Sequence, residues 1–217
     1  MGIRAIDNRL EELRKQGIQI YSISRIDTIN RCLYEAYRTY VLNDRGSSNI
    51  YAVLGSRIHD VLENIVNGNA SESDLLPALA AEFDDLELLD IDFPKDMRGG
   101  DSIRQGWIDN MTHFCKHYKS PRKDLTTEEL FLYCTPKGRY IQGYIDLQHK
   151  NVDGSISIYD YKSSSMYSRE SLLEHGRQLV VYKLGKEQEG YDVRDASWIF
   201  LKYVDVSFIG KRNARSK

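Results

Sequence analysis

Cysteine is scarce in this 217-residue chain. Its three residues, Cys32, Cys115 and Cys134, are odd in number and have no metal-ligand spacing. That excludes a disulfide framework and a zinc knuckle, and it reads as reduced thiols in the cytoplasm. No apolar run approaches the roughly 20 residues of a membrane-spanning helix, and the opening Met-Gly-Ile-Arg-Ala is not a secretory signal. Ile6 stands where a myristoylation motif needs Ser or Thr, so neither span nor lipid anchor is expected. No G-x-x-x-x-G-K-[ST] run occurs, so no phosphate-loop ATPase is expected in these residues, and a helicase is expected to be a separate protein. Excess positive charge is missing too: the net charge is −2 and the pI near 6.2. Any nucleic-acid contact must then come from local patches.

What is present suits one globular domain over residues 1–217. The chain is 41% hydrophobic and 29% charged, enough for a single sizeable core. Fifteen tyrosines are many for this length; they suit base stacking, and strand packing accounts for them equally well. Residues 20–125 are predicted to be mainly helical. A short helix over about 7–16 precedes one over about 25–42, N-capped by Ser24 with Asp27 in the capping-box position. Helices over about 51–67, 72–89 and 101–119 follow. Residues 126–206 change to period two, with strands at about 129–134, 139–149 and 155–163, a helix at about 168–188 and a closing strand at about 198–206. The basic end, residues 207–217, reads as a tail. The fold class is α/β: helix, three-strand antiparallel meander, helix and strand, preceded by a helical lid.

Asp146, Asp160 and Lys162 are the chemically loaded residues. They lie in Gly143-Tyr-Ile-Asp146 and Asp160-Tyr-Lys162, on strands joined by Asn151-Val-Asp-Gly154. Two carboxylates and an ammonium suit a divalent-metal phosphodiesterase, with Mg²⁺ or Mn²⁺ on hard oxygen ligands and lysine on the attacking water. Whether they meet depends on hairpin parity. A three-residue loop with Gly154 in the left-handed region pairs Asn151 with Ser155 and sets Asp146 opposite Asp160, sharing a face with Lys162. A two-residue Asp-Gly turn would send the carboxylates to opposite faces.

Ordered motifs add to this core: Ser22-Ile-Ser24-Arg25 before a helix bearing Cys32, Gly55-Ser-Arg-Ile-His59, Glu129 at a strand start, and Gln178-Leu-Val-Val-Tyr182. With Gly143-Tyr-Ile-Asp146 and Asp160-Tyr-Lys162 they make the chain resemble the RecB-like nucleases of the PD-(D/E)XK superfamily, over roughly residues 20–206. These are related to recombination helicase–nucleases and CRISPR-adaptation nucleases. The resemblance implies a metal site of His59, Asp146, Asp160 and the Tyr161 main-chain carbonyl. It implies Lys162, Gln178, Tyr182 and Glu129 as further catalytic residues, and Ser24, Arg25, Gln178 and Tyr182 as DNA contacts. The residues themselves allow some of this. His59 projects about 110° from the apolar stripe of Leu54, Ile58, Val61, Leu62 and Ile65, at ~100° per residue, so it flanks the core as a boundary residue or a ligand. Gln178 and Tyr182, four apart, share a helix face. Glu129 shares a face with Phe131 and Tyr133, and Glu128 points the other way. Lys116, His117, Lys119, Arg122 and Lys123 form either a phosphate-steering cluster or a solvated face. The iron–sulfur members need a carboxy-terminal cysteine cluster, and no cysteine follows Cys134, so no such cluster is expected.

The expected function is a metal-dependent DNA nuclease, taken as an exonuclease on single-stranded or free DNA ends in replication, recombination or repair, with a phage as one setting and the host cytoplasm as its place. A structure- or sequence-specific endonuclease and an inactive DNA-binding or assembly module stand as alternatives.

Overall fold

Alternating apolar and polar residues from Leu125 to Lys162 build an antiparallel meander in a computed structural model that describes residues 8–44, 46, 49–119 and 124–202. Its strands are β2 (Leu125–Cys134), β3 (Tyr140–Lys150) and β4 (Ile156–Lys162). The β3–β4 turn has the three-residue form: the Asn151 N–H donates to the Ser155 carbonyl at 2.8 Å, and Gly154 has φ +87°. After β4 comes α7 (Leu172–Gln188), then β5 (Val193–Phe200), which pairs parallel with β4. The basic tail, Arg122, Lys123 and the end of the expected last strand lie outside the described residues.

The amino-terminal part is helical: α1 (Asn8–Lys15), α2 (Ile23–Arg31), α3 (Leu33–Tyr40), α4 (Ile50–Val66), one 3₁₀ turn (Glu72–Asp74), α5 (Leu75–Leu88) and α6 (Ser102–His117). Three details depart from expectation. Ile20–Ser22 form β1, parallel to Tyr140–Gln142 of β3. This brings the chain out of the sheet straight into α2, so the N-cap is Ser22 rather than Ser24: its side chain accepts from the Arg25 N–H at 3.1 Å. The single helix expected over 25–42 is broken at Cys32, whose extended backbone (φ −156°, ψ 111°) ends α2 and caps α3. The last strand begins at Val193, earlier than the expected 198.

The sheet separates two cores. On one face α4, α5 and α6 pack over Leu147, Tyr161 and Ile199; on the other α7 packs over Phe131, Ile145, Ile156 and Ile158. Of the helical part α4 lies nearest the meander, and α5 and α6 complete the first core around it.

Phe131 is fully buried between two glycines. A Cβ on Gly143 would lie 2.6 Å from its ring, and one on Gly185 of α7 only 2.5 Å from it. Gly185→Ala should therefore push ring or helix aside and cost about 1–3 kcal/mol. Unchanged thermal unfolding of that variant would show that the ring is not wedged.

Candidate active site

β3 has different neighbours along one edge. Residues 140–142 pair with β1 and residues 147–150 with β4, while β2 backs the strand from residue 140 to residue 149 on the other side. Among the described residues, no strand pairs with 143–146 on the first edge. The ladder to β4 stops at Leu147↔Tyr159. The next pair in that register is Asp146 with Asp160, so the two carboxylates stand where the strands part.

Alternation also switches there. Ile145 and Leu147, two residues apart, pack in different cores. The switch coincides with Glu128, where the β2–β3 register skips from Thr127↔Leu147 to Glu129↔Ile145; Glu128 has φ +51°, a left-handed conformation uncommon for glutamate. Asp146 consequently meets α4: its Oδ2 lies 3.5 Å from His59 Nδ1 and accepts the Tyr161 backbone N–H at 2.8 Å. Asp160 lies on the α7 side and is 1% exposed. The carboxylates meet across a gap in the sheet rather than on one continuous face.

Asp160, Lys162, Gln178 and Tyr182 close a ring. The Lys162 ammonium contacts Asp160 Oδ2 at 2.5 Å and donates to Gln178 Oε1 at 3.1 Å. Gln178 Nε2 donates to the Tyr182 hydroxyl at 2.6 Å, and that hydroxyl donates to Asp160 Oδ1 at 3.5 Å. Three bonds run in one direction, from Lys162 through Gln178 and Tyr182 to Asp160, and the direct Lys162–Asp160 contact closes the ring from the same donor; hydrogen bonds in such a chain polarise one another. Burial first, and then the charge of Asp146, pushes the Asp160 carboxyl up to about 6, with Lys162 opposing. His59 is lowered, chiefly by burial. Lys162 is raised: burial is the largest influence and opposes this, and the Asp160 charge overcomes it.

A cleft of about 480 Å³ opens beside this ring, lined by Gly55, His59, Glu128, Tyr144, Asp146, Tyr161, Lys162 and Ser163 among others. Asp160, 1% exposed, is reached from it through Lys162, which lines the cleft and contacts the Asp160 carboxylate. Gly55 lets α4 come close: a Cβ there would lie 3.3 Å from Ser163 Oγ.

A sequence profile of the PD-(D/E)XK nuclease superfamily matches residues 20–213. The chain belongs to that superfamily. Its members are phosphodiester hydrolases that act on DNA and generally use divalent metals such as Mg²⁺. The nuclease carries their mixed α/β arrangement, with a five-stranded sheet among the described residues. No curated protein matches its sequence.

Not every anticipated residue reaches the cleft of this nuclease. Glu129 turns to the α7 side, where its Oε2 takes the buried Lys186 ammonium at 2.9 Å. Glu128, which parity in a regular strand sends away, lines the cleft instead. The sequence offered one signal for it: the polar run Thr126-Thr-Glu-Glu129 interrupts the apolar alternation. Ser24 bonds Ser22 at 3.0 Å, and the Arg25 guanidinium lies over the Tyr21 and Tyr40 rings; neither lines the cleft. Lys116, His117 and Lys119 stand at and just beyond the end of α6, also away from it.

The donors suit a hard divalent ion: two carboxylates, an imidazole, and the Tyr161 carbonyl against which the imidazole lies. Burial first and then the Asp146 charge raise Asp160, and a cation would offset both. Among the described residues, no three His, Cys, Asp or Glu side chains already stand in an ion-holding geometry. Asp146 is engaged by Tyr161 and Asp160 by Lys162.

No helix among the described residues is long and apolar enough to cross a membrane.

Proposed function

We propose that this chain is a metal-dependent exonuclease of RecB-like type, acting on DNA ends during replication, recombination or repair. The observation that carries the reading is the closed ring of Asp160, Lys162, Gln178 and Tyr182 set against Asp146 and His59. His59, Asp146, Asp160 and the Tyr161 carbonyl would hold Mg²⁺ or Mn²⁺, which supplies Lewis-acid relief of charge on the phosphate. Gln178 and Tyr182 fix the Lys162 ammonium, whose remaining N–H orients the attacking water while its charge offsets the negative charge that grows on the phosphate. Glu128, at the cleft wall, takes the place in the site anticipated for Glu129. Ser24 and Arg25 serve the strand near its entry. The three cysteines of this sequence are one short of a four-cysteine cluster, so the reading includes no iron–sulfur centre. A separate helicase or recombination protein would supply DNA ends, in a host cytoplasm if the source is a phage.

Cleavage of end-labelled linear DNA against closed circular DNA, with Mg²⁺, Mn²⁺ or EDTA, tests this. Loss of linear DNA alone, dependent on metal, is the expected result; equal cutting of circles would make the chain an endonuclease.

The two glutamates should separate cleanly. Glu129→Gln loosens Lys186, which keeps Glu189 at 3.1 Å. Its stability cost should fall below the about 3–5 kcal/mol of a buried ion left alone, with cleavage unchanged. Glu128→Gln should lower cleavage severalfold at unchanged stability. The reverse pattern would restore Glu129 to the site.

A further inference from the structure

Asp160 and Lys162 have register neighbours on β5, Trp198 and Phe200 respectively. Tyr167, in the segment joining β4 to α7, packs on both, with centroids 5.0 Å from Trp198 and 5.4 Å from Phe200 and planes nearly perpendicular to each. Ser164, three residues before it on the same segment, lines the cleft. His175, from the first turn of α7, lies flat on Tyr167, with centroids 3.8 Å apart and 10° between the planes. His175 is exposed, so the stack ends in solvent.

An exposed ring is usually free to rotate. This one is held flat by a neighbour that is itself anchored on two aromatic rings of the sheet. The charges around it are mixed: Arg169 and Arg177 stand among Glu170 and Glu174. The surface is therefore shaped for a planar partner rather than for bare phosphate. Adjacent strands lie about 4.8 Å apart, so the anchoring rings stand one strand away from Asp160 and Lys162. A base on His175 would then belong to a nucleotide close to the phosphate under attack.

We propose that the Tyr167–His175 stack is a platform for one unpaired base of the DNA strand being cut, an assignment that rests on the nuclease reading and gives it a substrate class. Both faces of a base inside a duplex are covered by its neighbours. The platform accordingly takes a single strand or a frayed end, and takes any base, because every base has a π face.

The test uses single-stranded oligonucleotides carrying 2-aminopurine, or an abasic residue, at successive positions. Binding is read in EDTA by 2-aminopurine fluorescence, and cleavage is read separately in Mg²⁺. Quenching at one position, lost in His175→Ala and restored in His175→Phe, is expected. In cleavage, His175→Ala should raise KM on the order of tenfold, the usual worth of one stacked base, with kcat within about twofold. An abasic residue at the quenched position should impose the same penalty on the wild type and none on His175→Ala. Position-independent fluorescence, or an equal abasic penalty in both proteins, overturns the platform even if the chain cleaves DNA. Position-dependent quenching that needs His175 upholds it even if no metal supports cleavage, in which case the nuclease reading alone fails. A simple packing role for His175 would shift thermal stability and leave the position dependence intact.

Discussion

Asp160→Ala is expected to lower cleavage by about a thousandfold or more, since several kcal/mol of charge relief at the phosphate depend on the ion it would hold. The fold should survive, because the wild-type carboxylate is raised by burial and by Asp146. A carboxyl whose folded pKa lies near 6 contributes stability that is fully present below the ordinary carboxylate range and is lost as pH rises through about 6. At pH 8 without metal the charged group opposes folding. Asp160→Asn should then raise the melting temperature at pH 8 and lose that advantage at pH 4. The rise in melting temperature on adding Mn²⁺ should disappear in both variants, as linkage requires when the bound state is removed. Undiminished cleavage by Asp160→Ala would end the assignment of this site.

Lys162→Ala should separate chemistry from binding. An ammonium has no lone pair, so Lys162 cannot ligate the ion, and its contribution belongs mainly to the transition state. Turnover should fall about a hundred- to a thousandfold, the loss typical of one preorganised donor, while stabilisation by Mn²⁺ persists and DNA affinity changes little. A lysine that only bound phosphate would behave otherwise: its loss would weaken binding and flatten the salt dependence. If Lys162→Ala abolished DNA binding and the wild type cut no nucleic acid, the chain would be a binding module on a nuclease fold.

Local chemistry made much of this legible in the sequence. The β3–β4 register followed from Asn151-Val-Asp-Gly154, because glycine at φ +87° is what a three-residue loop requires. α4 ends before Gly68 and α7 before Gly190, both at positive φ, as their sequence patterns indicate. The missed features are those that distant partners impose. β1 is three residues long and exists only by pairing with β3, more than a hundred residues later. No glycine or proline announces the break at Cys32. Glu128 adopts its left-handed backbone with no residue-type signal, and this moves the acidic side chain at the cleft from one glutamate to its neighbour. Parity reasoning assumed an unbroken pleat, and the site occupies the place where the pleat breaks.

That break gives the sheet an uneven stiffness. β2 backs β3 across the gap, so Asp146 sits on a braced strand. Facing it, β4 has left the ladder to β3 after Tyr159 and is held on that side by a side-chain link, Asp146 to the Tyr161 N–H. Widening the gap therefore breaks no backbone ladder bond between β3 and β4, and β5 carries Asp160 and Lys162 along as a unit. The frame can breathe at the point of chemistry while its register stays locked on either side.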